Sequence, residues 1–468
     1  MKLVMKFGGS LVGSPGGVKR IADIVTDYAP RNSVVVVVSA LNNVTDVLLD
    51  AGENASNWYP NEIANTVEQL RKVHLRAVAE TSLGLKEKDS LAKELGGMLT
   101  NLQTTLTGVS ILGELSPRSR DMIVSYGERL AAPIVAAELQ SRGVVSWSAT
   151  GGASGIVTDN SFGEAAPDMV ATRKELKKEL LRPMTRSEVP VVTGFIARSK
   201  EGETTTLGRG GSDYTATIIG DAIGADEVWI WTDVDGIMTG DPRIVKRPAV
   251  VSQLSYAEAE ELAFFGAKNM HPLALGPARL AGIPVRIKNG FRPSEKGTLI
   301  TEGARRSDGV VKCVAVVKQV GLLTVSGESL QGKPGIAAKV FAALGSAKVN
   351  VLMISQSVSE ASISMVVRRN ALAAAESAVS SKLSEEKMAV SVDADQRVAV
   401  VAAVGAGMRG TRGVAAKVFG AVAARGINVR MIAQGSSELN ISFVVDEQDA
   451  DAAARALHEL VVVKGGRS

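Results

Sequence analysis

The chain has 468 residues, 45% of them hydrophobic, and its 53 Lys plus Arg against 49 Asp plus Glu leave a formal charge of +4. That length exceeds one ordinary core and predicts two or three domains, while a small positive excess without a basic run or interleaved aromatics argues against a nucleic-acid partner. One cysteine, Cys313, and three histidines exclude a disulfide framework and leave little material for a zinc site or a histidine-based triad. Carboxylates, lysines and glycines must carry any chemistry. No apolar stretch approaches the roughly 20 residues that span a bilayer, and the opening Met1-Lys2-Leu3-Val4 lacks a signal-peptide pattern, so the expectation is a cytoplasmic protein with no membrane partner.

Over the first 300 residues short apolar strands alternate with helical patterns, which predicts α/β architecture with a mostly parallel central sheet flanked by helices. Residues 3–7 read as the first strand. Ser14-Pro15 reads as the N-cap and first position of a helix carrying Val18, Ile21, Val25 and Tyr28 at helical spacing. Residues 34–38, all valine, form a β-branched run of the kind covered on both faces of a sheet. Residues 62–107 read as helices rich in Leu, Lys and Glu without a chemical motif, a helical insertion. Further strands are expected at 143–147, 189–193, 227–231 and 283–287, and Ser255 with Glu258 reads as a capping box opening a helix over 257–265.

The C-terminal region repeats itself. Residues 335–341, GIAAKVF, recur 78 residues later as GVAAKVF at 413–419, and the register holds through Asn350 and Asn428, Gln356 and Gln434, and Ile363-Ser364 and Ile441-Ser442. Each copy reads as strand, glycine-containing loop, helix, strand, strand, helix, an α+β unit whose sheet helices cover on one face. The expected division is 1–300 for the α/β domain, 301–393 for the first α+β unit with a leading strand, and 394–468 for the second.

Lys6-Phe7-Gly8-Gly9-Ser10 falls at the carboxyl end of the first strand, where an open α/β sheet places its ligand crevice. Glycines there let backbone N–H groups approach phosphate oxygens, and a lysine adds a point charge, although a glycine pair alone equally marks a turn. No Gly-x-x-x-x-Gly-Lys-Ser/Thr pattern is present, so this is not a P-loop. Thr206-Leu207-Gly208-Arg209-Gly210-Gly211-Ser212-Asp213 is more specific. It leads into a helix whose N-terminus favours anions, Arg209 can grip a carboxylate with two hydrogen bonds, and Asp213 can orient lysines or a metal. Trp231-Thr232-Asp233-Val234-Asp235-Gly236 and Gly240-Asp241-Pro242-Arg243 suit a nucleotide pocket with acidic and basic ends. Lys268, after Phe265-Gly266-Ala267, is a candidate second phosphate-binding cation.

These blocks, with 39–45, Gly127-Glu128-Arg129 and Thr193-Gly194-Phe195, together resemble the aspartokinase branch of the amino-acid kinase superfamily, and the terminal repeats look like paired ACT domains of ferredoxin-like fold. The resemblance covers nearly the whole chain. It implies ATP-dependent phosphorylation of the side-chain carboxylate of L-aspartate, assisted by Mg²⁺, as the first step toward lysine, threonine and methionine. It implies that Lys6, Asp213 and Lys268 are catalytic, and that Phe7, Gly8, Gly9 and Asn269 join the two lysines around the triphosphate. Thr232, Asp233, Met238 and Arg243 would line the nucleotide, while Ser39, Thr45, Glu128 and Arg209 would hold aspartate, Glu128 by its ammonium and Arg209 by a carboxylate. Gly335, Ile336, Asn350, Gln356, Asn428 and Gln434 would form the regulatory sites for lysine or threonine, and the ACT domains would build a homodimer or homotetramer. No protein-held metal site is implied. The chain departs from the family pattern at Ser10-Leu11, where Thr-Ser is common, and at Met238, where Tyr is common. The competing readings are a sister kinase acting on glutamate or an N-acylated amino acid, and a non-catalytic amino-acid sensor. Glu128 opposes an acylated amine, which would leave its carboxylate without an ion-pair partner.

Overall fold

The computed structural model describes residues 1–57, 60–265, 272–303, 310–327, 330, 334–359 and 361–461. It divides into two compact units, one holding the described residues of 1–237, 252–256 and 269–304, the other those of 238–251, 257–268 and 305–468.

The chain opens with β1 (Lys2–Phe7), α1 (Gly9–Val12), α2 (Gly17–Tyr28) and β2 (Ser33–Val38). Four helices, α3 (Val44–Ser56), α4 (Pro60–Glu80), α5 (Leu85–Leu112) and α6 (Pro117–Ser141), then precede β3 (Ser146–Ala149), α7 (Gly151–Ser154) and β4 (Val157–Thr158). Next come α8 (Met169–Thr185), β5 (Val189–Thr193), β6 (Ile196–Ser199), β7 (Thr204–Thr206), α9 (Gly211–Ile223) and β8 (Glu227–Thr232). The segment ends with β9 (Gln253–Ser255), α10 (Tyr256–Phe264), α11 (Gly276–Ala281), β10 (Val285–Asn289) and β11 (Thr298–Thr301).

The large sheet has the order β3-β5-β2-β1-β8-β10-β11-β9. Its pairings are parallel except for β10 with β11. A parallel sheet is covered on both faces, which is why the valine run of β2 is buried throughout. Leu3, Met5 and Phe7 share one core with Val34, Val36 and Val38, with Leu130 and Ile134 of α6, and with Leu95, Leu99 and Leu102 of the inserted α5. A smaller sheet joins β4, β6 and β7.

Three elements start two or three residues later than the sequence expectation, each because the residues are used by the preceding turn. α2 starts at Gly17 behind a left-handed Gly16 (φ 65°), since the Ser14 carbonyl accepts the Gly17 N–H and the Ser14 hydroxyl donates back to Leu11. β3 starts at Ser146 because Gly143 (φ 79°) turns the chain after α6, its N–H bonded to Gln140. β10 starts at Val285 because the Ile283 N–H returns to Ala278 in closing α11.

The second unit contains β12 (Cys313–Ser326), α12 (Ile336–Ser346), β13 (Val351–Gln356), β14 (Ser362–Arg368) and α13 (Leu372–Glu385). It continues with β15 (Ser391–Val404), α14 (Val414–Ala423), β16 (Met431–Ala433), β17 (Asn440–Asp446) and α15 (Ala450–His458). The strands form one antiparallel sheet in the order β13-β14-β12-β15-β17-β16. The β12–β15 register is symmetric under the 78-residue offset: Val320 faces its own counterpart Val398, and Leu322 opposite Asp395 is mirrored by Val317 opposite Val400. The two copies therefore pair about a local twofold axis through Val320 and Val398. Each long strand serves both copies, and the 393/394 division falls inside β15. Two separate cores result, one around Val340, Met365 and Val379, the other around Val418, Phe443 and Leu457.

Candidate active site

The carboxyl edge of the large sheet gathers most of the candidate residues of the first unit. Lys6 lies on β1, between β2 and β8, with its Nζ 2.7 Å from Asp213 Oδ1, and both side chains are only about a tenth exposed. Gly8 donates its N–H to the Trp231 carbonyl at 3.1 Å, and the Phe7 ring stacks on Trp231 with centroids 6.0 Å apart. A Cβ on Gly9 would stand 2.7 Å from the Ala40 carbonyl oxygen, so only glycine permits this approach of the two loops. Gly208 (φ 73°) and Gly210 (φ 69°) flank Arg209 in the left-handed region, turning the chain into α9 and placing Asp213 in its first turn, where a negative charge is favoured. Arg209 itself is exposed.

The other end of the site is built on α6. Glu128 is 4% exposed, and its Oε1 accepts the Ala40 N–H at 3.1 Å. Its Oε2 is buried with no hydrogen-bond partner among the described residues. Burial pushes the Glu128 carboxyl up to about 8, against the pull of the Ala40 N–H and the positive charge of Lys6. A buried carboxylate oxygen without a partner is costly, which makes Glu128 a candidate functional group. Gly127 lets α6 lie against the same loop, since a Cβ there would stand 2.8 Å from Ala40 Cβ. Ser39, bonded through its N–H to the Phe7 carbonyl, and Thr45, in the first turn of α3, are both half-buried in this loop region.

On the far side of β1, the Thr232 hydroxyl donates to Asp233 at 3.1 Å, and Thr232 pairs with Asn289 in the β8–β10 register. The sequence reading passed over Asn289, which donates from Nδ2 to Asp235 at 2.7 Å while Arg292 pairs with the same carboxylate. It also passed over Lys288, which is 6% exposed, donates to the Glu295 carbonyl at 2.7 Å and lies 5.0 Å from the Trp231 ring centroid. Burial lowers its pKa. A lysine within an apolar strand is the signal that could have drawn attention to it.

Lys268 and Asn269 lie outside the described residues. Met238 and Arg243 belong to the second unit. There Met238 bridges to Val250, and the exposed Arg243 is gripped by Asp241 through Nε at 3.0 Å and Nη2 at 2.6 Å. In the repeats, Gly335 (φ 88°) and Gly413 (φ 79°) cap α12 and α14, and Ile336 is buried. Asn350, Gln356, Asn428 and Gln434 are exposed around β13 and β16, edge strands that approach one another. Among the described residues there is no cluster of three or more His, Cys, Asp or Glu placed to hold a metal ion, and no helix is long and apolar enough to cross a membrane.

Residues 1–289 match the model of the Amino acid kinase family, and residues 323–383 and 401–460 match the ACT domain. Aspartokinase 1, chloroplastic, from Arabidopsis thaliana is 35% identical over 475 residues, covering 99% of this chain and 81% of the relative. The chain belongs to the aspartokinases of the amino acid kinase family. Aspartokinase 3, chloroplastic, from the same plant is 36% identical, with 97% of this chain and 80% of the relative covered. Among solved structures, E. coli aspartokinase III in complex with aspartate and ADP (R-state) superposes with a TM-score of 0.82 at 29% identity, covering 98% of this chain and 100% of that one. The same E. coli enzyme in complex with lysine and aspartate (T-state) gives a TM-score of 0.80 at 29% identity, with 98% and 99% covered. This aspartokinase is thus an enzyme in which the kinase match precedes the two ACT matches.

Proposed function

We propose that the enzyme transfers the γ-phosphoryl group of ATP to the side-chain carboxylate of L-aspartate, giving 4-phospho-L-aspartate and ADP, the opening step of lysine, threonine and methionine biosynthesis. The observation that carries this reading is the pairing of a phosphate end with an ammonium end: Lys6 held by Asp213 at 2.7 Å, and Glu128 with one buried oxygen left without a partner among the described residues. The E. coli neighbour in complex with aspartate and ADP supports it.

The substrate carboxylate is already a nucleophile, so the protein's task is in-line positioning and charge neutralisation. Lys6, steadied by Asp213, stabilises negative charge on the transferred phosphoryl, as Lys268 does in the same reading. The backbone N–H of Gly9 and the N-terminus of α9 approach its oxygens, while Gly8, whose own N–H is taken by the Trp231 carbonyl, keeps the loop close to β8. Thr232 and Asp233 face the nucleotide. Aspartate is anchored by its ammonium on Glu128 and by a carboxylate on Arg209, with Ser39 and Thr45 beside it. Mg²⁺ would be carried by the phosphates, because it is usually bound through one or two carboxylates plus phosphate oxygens, and Asp213 or Asp233 would supply a protein carboxylate to it. When bound, it neutralises phosphate charge.

The ACT repeats, which we assign to 301–393 and 394–468 behind a kinase domain at 1–300, place the response to lysine or threonine around Gly335, Ile336, Asn350 and Gln356 and their counterparts Asn428 and Gln434, and form the contact of a homodimer or homotetramer. The E. coli neighbour in complex with lysine favours lysine as effector. ADP release coupled to a reporter, measured across a panel of amino acids with Mg-ATP, tests the activity. Aspartate should be the preferred acceptor, and ADP release driven by glutamate or an N-acylated amino acid but not by aspartate would overturn the assignment.

A further inference from the structure

We infer that Asp121 is a positioning residue that sets the distance between the two grips on the amino acid, and so decides acceptance of aspartate over its homologue one methylene longer. The inference rests on the proposed aspartate site. Asp121 lies on α6 seven residues before Glu128, about two turns or 10 Å along the same helix. It is 1% exposed, and its carboxylate accepts three hydrogen bonds: from the Thr206 N–H at 2.9 Å, the Thr206 hydroxyl at 2.9 Å and the Gly163 N–H at 3.0 Å.

Thr206 is the last residue of β7 and stands three positions before Arg209. Its carbonyl accepts the Ala165 N–H at 2.9 Å, and Gly208 lies so close to Glu164 that a Cβ would stand 3.1 Å from its Cγ. One carboxylate therefore ties α6 both to the root of the Arg209 loop and to the 163–165 segment on which that loop rests. Burial raises the Asp121 pKa, while the Gly163 and Thr206 bonds and nearby Arg120 oppose the rise. Such a buried acceptor, fully used by donors from other elements, acts as a fastener.

The consequence is geometric. α6 carries Glu128 directly and the Arg209 loop through Asp121, so a single rigid element spaces the ammonium grip from the carboxylate grip. With those two anchors fixed, only one side-chain length brings the reacting carboxylate to the phosphoryl group beside Lys6. A contact difference of one methylene gives roughly 10–200-fold discrimination when the pocket is rigid, and loosening the Arg209 loop should erode it.

The experiment uses the full chain with Asp121→Asn, which sets an amide donor against the donors it must accept, with Thr206→Val, which removes only the hydroxyl bond, and with Thr206→Ser as the conservative control. KM and kcat for aspartate, KM for ATP, and Ki for glutamate as a competitor of aspartate are measured for each. In Asp121→Asn the aspartate KM should rise about tenfold, the Ki(glutamate)/KM(aspartate) ratio should fall at least about fivefold, and the ATP KM should stay within about twofold. Thr206→Val should shift the same ratio in the same direction by less, and Thr206→Ser should match wild type. A uniform loss for both amino acids and ATP, or an unchanged ratio in Asp121→Asn, overturns the inference. Should Asp121→Asn not fold, an unchanged ratio in Thr206→Val does the same. A wild type that does not use aspartate defeats the functional assignment itself, whereas an active wild type with an unmoved ratio defeats only the role of Asp121.

Discussion

Replacing Glu128 by Gln should make the aspartokinase more stable and less able to bind aspartate. The folded enzyme holds this carboxyl up at about 8 against an ordinary 4.5. Because the folded value is the higher one, the group's contribution is fully present below about pH 4.5 and is lost as pH rises through about 8. At pH 7 the unfolded chain ionises Glu128 freely while the folded, substrate-free chain keeps it mostly neutral, a difference of about 3 kcal/mol, whereas at pH 5 the same difference is below about 1 kcal/mol. Gln keeps the shape and the acceptor for the Ala40 N–H but has no charge to forfeit. The stability gap between Glu128→Gln and wild type should therefore widen by about 2 kcal/mol from pH 5 to pH 7 and level off above about pH 9. Thermal unfolding of both proteins at matched ionic strength from pH 5 to 9 reads this as a Tm difference growing by several degrees. In the proposed site the same substitution would leave the substrate ammonium facing an amide, and the aspartate KM should rise about 10- to 100-fold. A gap that does not change with pH, or a wild type that is the more stable at pH 8, would refute the argument from burial.

Lys6→Ala should lower kcat by about 10²–10³ with little change in aspartate KM, because its charge counts most as the phosphoryl group moves, and steady-state kinetics at saturating ATP would show it. Arg209→Lys should not restore aspartate affinity to Arg209→Ala, since a point charge cannot reproduce a two-pronged grip; equal KM values for wild type and Arg209→Lys would remove Arg209 from that role. Arg369 and Glu447 occupy equivalent positions 78 residues apart and pair with each other at 2.9 Å, so Arg369→Glu should loosen the paired repeats by up to about 1 kcal/mol and the double exchange with Glu447→Arg should recover it, as followed by amide exchange in β12 and β15. Titrating lysine and threonine against Asn350→Ala and Asn428→Ala should weaken the response of at least one variant, and an intact response in both would displace the effector sites from these asparagines.

The strands of the kinase sheet were legible wherever burial on both faces produces an unbroken apolar run, as in β2, β5 and β8, and less so at β3 and β10, whose first expected residues finish a helix instead. The glycine-flanked Arg209 and the lysine at the end of β1 could be singled out because backbone conformation and charge are local properties. Asp121 could not. A carboxylate on a helix reads as solvated until the sheet, α3 and α5 close around α6, and only then do Thr206 and Gly163 become its partners.

The repeat shows the same division. Its period, its glycine caps and its alternation of strand and helix are written in neighbouring residues and were determined by the sequence alone. That Val320 meets Val398, that β12 and β15 each serve both copies, and that Glu128 loses its solvent while one oxygen keeps no partner among the described residues were decided by tertiary structure. Nearest-neighbour chemistry sets which elements form, but desolvation and pairing depend on segments that meet across hundreds of residues, and it is desolvation that gives a carboxylate its function.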